Sequence, residues 1–147
     1  MLGKKIIRIA SLTIALLGSV SGETMERTKI FADGFKFSVT EKDEAIVTGY
    51  DGNEKNLFLP SRIFDPENRK SYCITRIAPD SFMYAPIESI MIPRTVQMLE
   101  LGCFNICTSL KYIFFETDSE LMRIELRIFH IISLRSITIP CRIEILG

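Results

Sequence analysis

The chain holds one histidine, His130, and that scarcity excludes most acid–base chemistry at the outset. No serine or cysteine has a second imidazole to act as its base, and neither a G-x-S-x-G elbow nor a phosphate-binding loop occurs. In the repeats described below the places equivalent to His130 are Met83 and Asn105, which share no chemistry, so an exposed, non-catalytic side chain is expected there. Neither charge is in excess: Lys plus Arg and Asp plus Glu are 18 each, with no long block of one sign. This excludes the basic face that nucleic-acid binding needs and the acidic composition of a disordered tail. The four cysteines lack the two close pairs, or the cysteine and histidine, of a zinc site. The carboxylates are scattered, as in Asp43 and Glu44, Asp118 and Glu120, Glu125 and Glu144, and read as solvated surface charge, with a glycosidase-like pair as the alternative. Beyond residue 22 no apolar run approaches the roughly 20 residues of a membrane span. The expectation is a non-enzyme with no metal, no cofactor and no nucleic-acid partner.

What is present begins with a targeting pattern. Lys4, Lys5 and Arg8 form a basic start, Ile9 to Val20 is an uncharged apolar run, and Val20 and Gly22 supply small residues before Glu23. Residues 1–22 therefore read as a secretory signal peptide, the alternative being an uncleaved signal anchor, for which the run is short. In a secreted chain Cys73, Cys103, Cys107 and Cys141 invite disulfides in any of three pairings. Free cysteine is also a small core residue. Cys107, three residues after Phe104, is read as core, while Cys103 and Cys107 are near enough in sequence to bond with strain.

The remainder is organised by repetition. Ile74, Ile77, Phe82, Ile87, Ile90 and Ile92 return as Val96, Leu99, Phe104, Leu110, Ile113 and Phe115, and again as Leu121, Ile124, Phe129, Leu134, Ile137 and Ile139. The steps run from 22 to 25 residues, and a third restart, Ile143 and Leu146, is under way at the last residue. Large apolar residues in phase at six places define a solenoid with one rung per repeat. Ile87 to Ile92 and its copies alternate apolar and exposed positions, and two of them stop at Pro93 and Pro140, so they are read as the parallel strands, one per rung. The Phe-centred segments are read as tight helical turns or second short strands. Two extra residues in Thr117 to Glu120 are expected to bulge at the surface. Upstream, Phe35 to Val39 and Ala45 to Thr48 read as a hairpin. Asn56 to Pro60 matches Ser89 to Pro93 at a spacing of 33, the surplus falling in Ser61 to Tyr72 around Asp65-Pro66-Glu67-Asn68. The domains expected are thus residues 1–22, a signal; 23–72, a β cap with an atypical first rung; and 73–147, repeats left incomplete at the end. The last strand then has an open edge, as in a fragment or a truncated member of its family.

Ile90-Met91-Ile92-Pro93, Leu99 to Phe104, Cys107-Thr108-Ser109-Leu110 and Ile137-Thr138-Ile139-Pro140 together resemble the BspA-like leucine-rich repeat, in which I-x-I-P is followed by I-G-x-x-x-F and C-x-S-L. The likeness covers about Phe35 to Gly147. It departs where Glu100 replaces the glycine, where Glu116 replaces the proline, and where Ile132 and Ser133 replace the start of C-x-S. The resemblance implies a mostly β, right-handed leucine-rich-repeat solenoid with short helical turns and an N-terminal hairpin cap. It also implies a secreted or cell-surface antigen that adheres to host cells, matrix or other microbes.

On the ladder strands the outward residues form two rows: Ser89, Tyr112 and Ser136, and Met91, Phe114 and Thr138. Flanked by Glu88, Lys111 and Arg135, these six are the candidate binding residues for a protein or cell-surface ligand. The alternative is a structural, self-associating repeat protein joined through its open C-terminal edge.

Overall fold

The computed structural model describes residues 28–125, 127–128, 133–140 and 144–146. The signal read over residues 1–22, together with Phe129, His130, Cys141 and Ile143, lies outside the described residues. The fold is a β-solenoid entered through a β cap. The cap consists of β1 (Thr28–Ala32), β2 (Phe35–Val39) and β3 (Glu44–Tyr50), an antiparallel meander in which β1 pairs with β2 and β2 with β3. The hairpin expected from Phe35 to Thr48 is β2 and β3. β1 adds a strand that a single deeply buried position, Ile30, did not announce as an alternation. Next come β4 (Asn56–Phe58), β5 (Arg62–Asp65) and β6 (Lys70–Ile77). β5 and β6 form the hairpin that absorbs the surplus residues of the first rung. The buried Asp65 organises its turn, accepting from Glu67 N–H at 2.9 Å and from Asn68 Nδ2 at 2.6 Å.

The repeats supply β7 (Ser89–Ile92), β8 (Met98–Leu99), β9 (Tyr112–Phe115), β10 (Arg123–Glu125), β11 (Ser136–Ile137) and β12 (Glu144–Leu146). They divide between two sheets. One runs β1-β2-β3-β6-β8-β10-β12 with β5 beside β6, and the other runs β11-β9-β7-β4. From β3 onward the first sheet is a parallel ladder through β6, β8, β10 and β12, and the second is parallel throughout. Each rung therefore carries two short strands where one was expected. The strand at Met98–Leu99 is two residues long, too short to display an alternation in sequence.

The expected helical turns are absent as helices among the described residues. The Phe-centred segments are strings of turns, closed by Met83 N–H to Asp80 C=O at 3.0 Å and Ala85 N–H to Phe82 C=O at 2.9 Å. They cannot continue as helix because left-handed residues bracket the phenylalanine: Asp80 and Tyr84 around Phe82, and Gly102 and Ile106 around Phe104. Arg127 repeats the first of these positions two residues before Phe129. The freed backbone donors are used between rungs, Phe82 N–H reaching Cys103 C=O at 2.9 Å.

The core follows the repeat. Ile74, Ile77, Phe82, Ile87, Ile90, Ile92, Val96, Leu99, Phe104, Leu110 and Ile113 are all buried. Phe82 and Phe104 stack with ring centroids 5.3 Å apart, and Phe35 and Tyr50 of the cap cover the free face of Phe82 at 6.3 and 5.8 Å. The cap thus closes the aromatic column that runs through the rungs. Four of the described ladder positions differ from expectation: Phe115, Leu134 and Ile137 are half-buried, and Ile139 is 39% exposed because β11 ends at Ile137, before it. Cys73, Cys103 and Cys107 are free thiols. Cys107 is core, as expected, its Sγ–H donating to Phe82 C=O at 2.8 Å. Glu100, where the repeat prefers glycine, is held by Arg76 of the preceding rung through Nε at 2.8 Å.

Candidate binding face

The sheet β11-β9-β7-β4 has one face in the core and one in solvent, and alternation decides which side chain goes where. Leu57, Ile90, Ile92 and Ile113 point inward. The register aligns Ser89 with Tyr112 and Tyr112 with Ser136, so the first expected row exists as a line across three strands. Met91 aligns with Phe114. Thr138 lies one residue past β11 and joins the second row through the groove that it lines with Met91 and Phe114. All six sequence-predicted residues therefore share one face. Tyr112 and Phe114 stack along β9 with centroids 6.1 Å apart and planes 11° from parallel.

Two members of the rows were missed. β4 pairs with β7 in parallel, placing Asn56 beside Ser89 and Phe58 beside Met91. Ser89 Oγ–H donates to Asn56 Oδ1 at 2.7 Å. Phe58 is 73% exposed and Phe114 46%, so the second row carries two open aromatic rings with a methionine between them. The signal was available in the match of Asn56–Pro60 to Ser89–Pro93, which implied that this segment was a further strand of the same ladder.

Charge borders the rows differently at the two strand ends. At the entry, Lys55, Glu88, Lys111 and Arg135 form a column whose backbones hydrogen-bond in sequence. Glu88 takes Lys111 at 3.0 Å and Lys55 at 3.1 Å. Hydrogen bonds from Lys111 and then Lys55 hold its carboxyl below the usual carboxylate range. At the exit the chain between Phe115 and Arg123 carries Glu116, Asp118 and Glu120, which border an open groove of about 1160 Å³ floored in part by Phe114.

Among the described residues, Glu88 is the one group bordering this face whose titration is shifted, and it is shifted by its lysine partners. The tyrosines raised above their ordinary value are Tyr50, in the cap, and Tyr72, on β6, both chiefly through burial. Burial likewise raises the two core thiols Cys103 and Cys107. Among the described residues, no group of three or more His, Cys, Asp or Glu side chains is arranged to hold a metal ion. Among the described residues no helix is long and apolar enough to cross a membrane. The arrangement offers contact area: a flat row of aromatic and polar side chains, basic at one margin and acidic at the other.

A family model for the BspA type leucine rich repeat region matches residues 71–147 in six copies. No protein of curated function matches the chain by sequence. Among solved structures, a leucine-rich repeat protein from Bacteroides capillosus superposes with a TM-score of 0.64 at 19% identity, covering 81% of this chain and 99% of its own. A leucine rich cell surface protein from Faecalibacterium prausnitzii gives 0.59 at 24% identity, over 71% of this chain and 27% of that one. The pneumococcal vaccine antigen PcpA gives 0.60 at 23% identity, over 72% of this chain and 31% of that one. The chain thus spans about a third or less of the length of the last two.

Proposed function

The chain belongs to the BspA-type leucine-rich repeat family, and from that premise we propose that it is a non-enzymatic binding module of the cell surface or the secreted space, adhering to host cells, matrix or other microbes. Its contact surface is the outward face of β4, β7, β9 and β11, with Ser89, Met91, Tyr112, Phe114, Ser136 and Thr138 at its centre and Asn56 and Phe58 extending it. The observation that carries this reading is the row Phe58, Met91 and Phe114, aligned by strand register, with both aromatic rings exposed and the methionine half-buried between them. Exposed aromatic and methionine side chains with a charged margin have the composition of a protein-binding patch, and a soluble surface seldom retains them in line. The basic and apolar pattern of residues 1–22, read as a secretory signal, supports placement outside the cell.

The test is retention of the chain on a surface coated with basement-membrane extract. Wild-type protein is expected to bind, and the double variant Tyr112→Ser, Phe114→Ser to lose at least tenfold in affinity while melting at an unchanged temperature. Equal retention of the two proteins would remove this face from the binding surface.

A further inference from the structure

The groove at the exit end of the strands is produced by two ways in which this chain departs from its own repeat. Between Ile92 and Met98 the chain crosses from one sheet to the other in Pro93–Gln97, whereas between Phe115 and Arg123 it takes the longer path Glu116–Met122. The longer path also begins with glutamate where the preceding rung has proline. A longer connection would make only a loose flap if nothing held it. Here it is tied to the preceding rung along its length: Glu116 N–H to Ile92 C=O at 3.0 Å, Glu120 N–H to Arg94 C=O at 2.8 Å and Met122 N–H to Gln97 C=O at 2.9 Å. The glutamate carboxylate that replaces proline accepts Arg94 N–H at 3.0 Å, and Leu121 is buried as an anchor. Asp118, left-handed at φ 58°, turns the crest. The connection is therefore a fixed wall beside the binding face.

Chemistry differs between the groove's floor and its rim. Met91, Phe114, Met122 and Pro140 supply apolar surface, Met122 being 58% exposed. Glu116, Asp118 and Glu120 stand around it, and among the described residues no lysine or arginine lines the groove, although the whole chain is neutral. Arg94 offsets Glu116 only in part, since the pair is 3.7 Å apart with both side chains largely in water. The lysines at the opposite margin are separated from the rim by the length of the strand, roughly 3.3 Å per residue over four residues. That exceeds the screening length of about 8 Å at physiological ionic strength, so the rim keeps its own sign.

We propose that this groove receives a cationic, apolar segment of a protein partner: a lysine or arginine against the carboxylate rim, with a neighbouring apolar side chain on Phe114 and Met91. The inference rests on the reading of the β4-β7-β9-β11 face as a binding surface and assigns the chemistry of what binds there. Charge complementarity selects the partner, and the apolar floor separates it from a merely basic one.

The experiment uses the full chain and three fluorescent hexapeptides, read by polarisation. One alternates lysine with leucine and phenylalanine, one places glutamate for each lysine, and one places serine for each apolar residue. The lysine–apolar peptide is expected to bind at least tenfold more tightly than either other peptide, and to weaken as salt rises. The triple variant Glu116→Gln, Asp118→Asn, Glu120→Gln keeps side-chain shape and the acceptor for Arg94 N–H, and is expected to lose at least tenfold for that peptide. Unchanged affinity in the triple variant, or no preference over the glutamate peptide, overturns the charge assignment. Equal binding of the lysine–serine peptide overturns the apolar half. If the triple variant keeps full affinity while Phe114→Ser loses it, the binding face stands and the acidic groove falls.

Discussion

Single residues in this chain are constrained by burial, backbone conformation and charge in ways that can be measured one at a time. Burial pushes the Cys107 thiol from its ordinary value of 9.0 up to about 11, and pushes Cys103 well above the same value. Their neutral form is thus favoured in the folded state, so the stability each contributes is full below pH 9 and is lost as pH rises through its raised folded value, about 11 for Cys107. With Cys141 replaced by serine, a thiol reagent at pH 8 should modify the half-buried Cys73 quickly, and Cys103 and Cys107 only as fast as the protein unfolds; fast labelling of all three would contradict their burial. Glu88 shifts the other way. Its bonds to Lys111 and Lys55 contribute stability above the ordinary carboxyl value of 4.5, and that contribution is lost as pH falls through the lower folded value. An NMR titration should place the Glu88 midpoint below 4.5, and Lys111→Met should move it back up. Gly102 tests the backbone. It sits at φ 64°, and a Cβ there would lie 3.1 Å from Asp80 Oδ1. Gly102→Ala should therefore cost about 1 kcal/mol in urea denaturation.

Among the elements, the strands of the β4-β7-β9-β11 sheet were largely legible, because Ile87 to Ile92 and its copies are long enough to show which side chains face inward. The opposite ladder was not, although its apolar positions were identified: two residues such as Met98 and Leu99 make a strand only because Arg76 and Ile77 already offer them an edge. Tertiary context supplies what local pattern lacks. The segments around Phe82 and Phe104, read as tight helical turns or second short strands, close single turns and go no further, for a related reason. An apolar centre with short-range spacing suits a helix equally well, and the left-handed residues that stop it, Tyr84 and Ile106, are types that rarely adopt that conformation. The surface rows were found, but Phe58 was left out because its strand is offset by 33 residues instead of the usual step. The two-residue excess in Thr117 to Glu120 was visible as a bulge, whereas its fastening to Arg94 and Gln97 needed the third dimension. The phenylalanine column carries the strongest prediction at this scale. Phe104 is fully buried against Phe82, so Phe104→Ala should cost about 3–5 kcal/mol, more than Phe115→Ala, because Phe115 is only half-buried. Equal losses in equilibrium unfolding would contradict the column as the structural spine.

For the whole molecule, the two ladders present different chemistry to solvent. One carries an Arg76–Glu100 ion pair between rungs, with Met98 and Arg123 continuing in register. The other carries the aligned rings and the acidic wall. The solenoid makes such division possible because each rung contributes one strand to each sheet, so a row on either side grows by repetition without disturbing the core between them. Under the proposed function, recognition falls on the side of the aligned rings. The most direct test is a chemical-shift map of the isotope-labelled chain as the lysine–apolar peptide is added. Amide shifts concentrated at Met91, Phe114 and Glu120, with Arg76, Met98 and Arg123 unmoved, are the predicted result. Shifts concentrated at Arg76, Met98 and Arg123 would place recognition on the opposite ladder and contradict it.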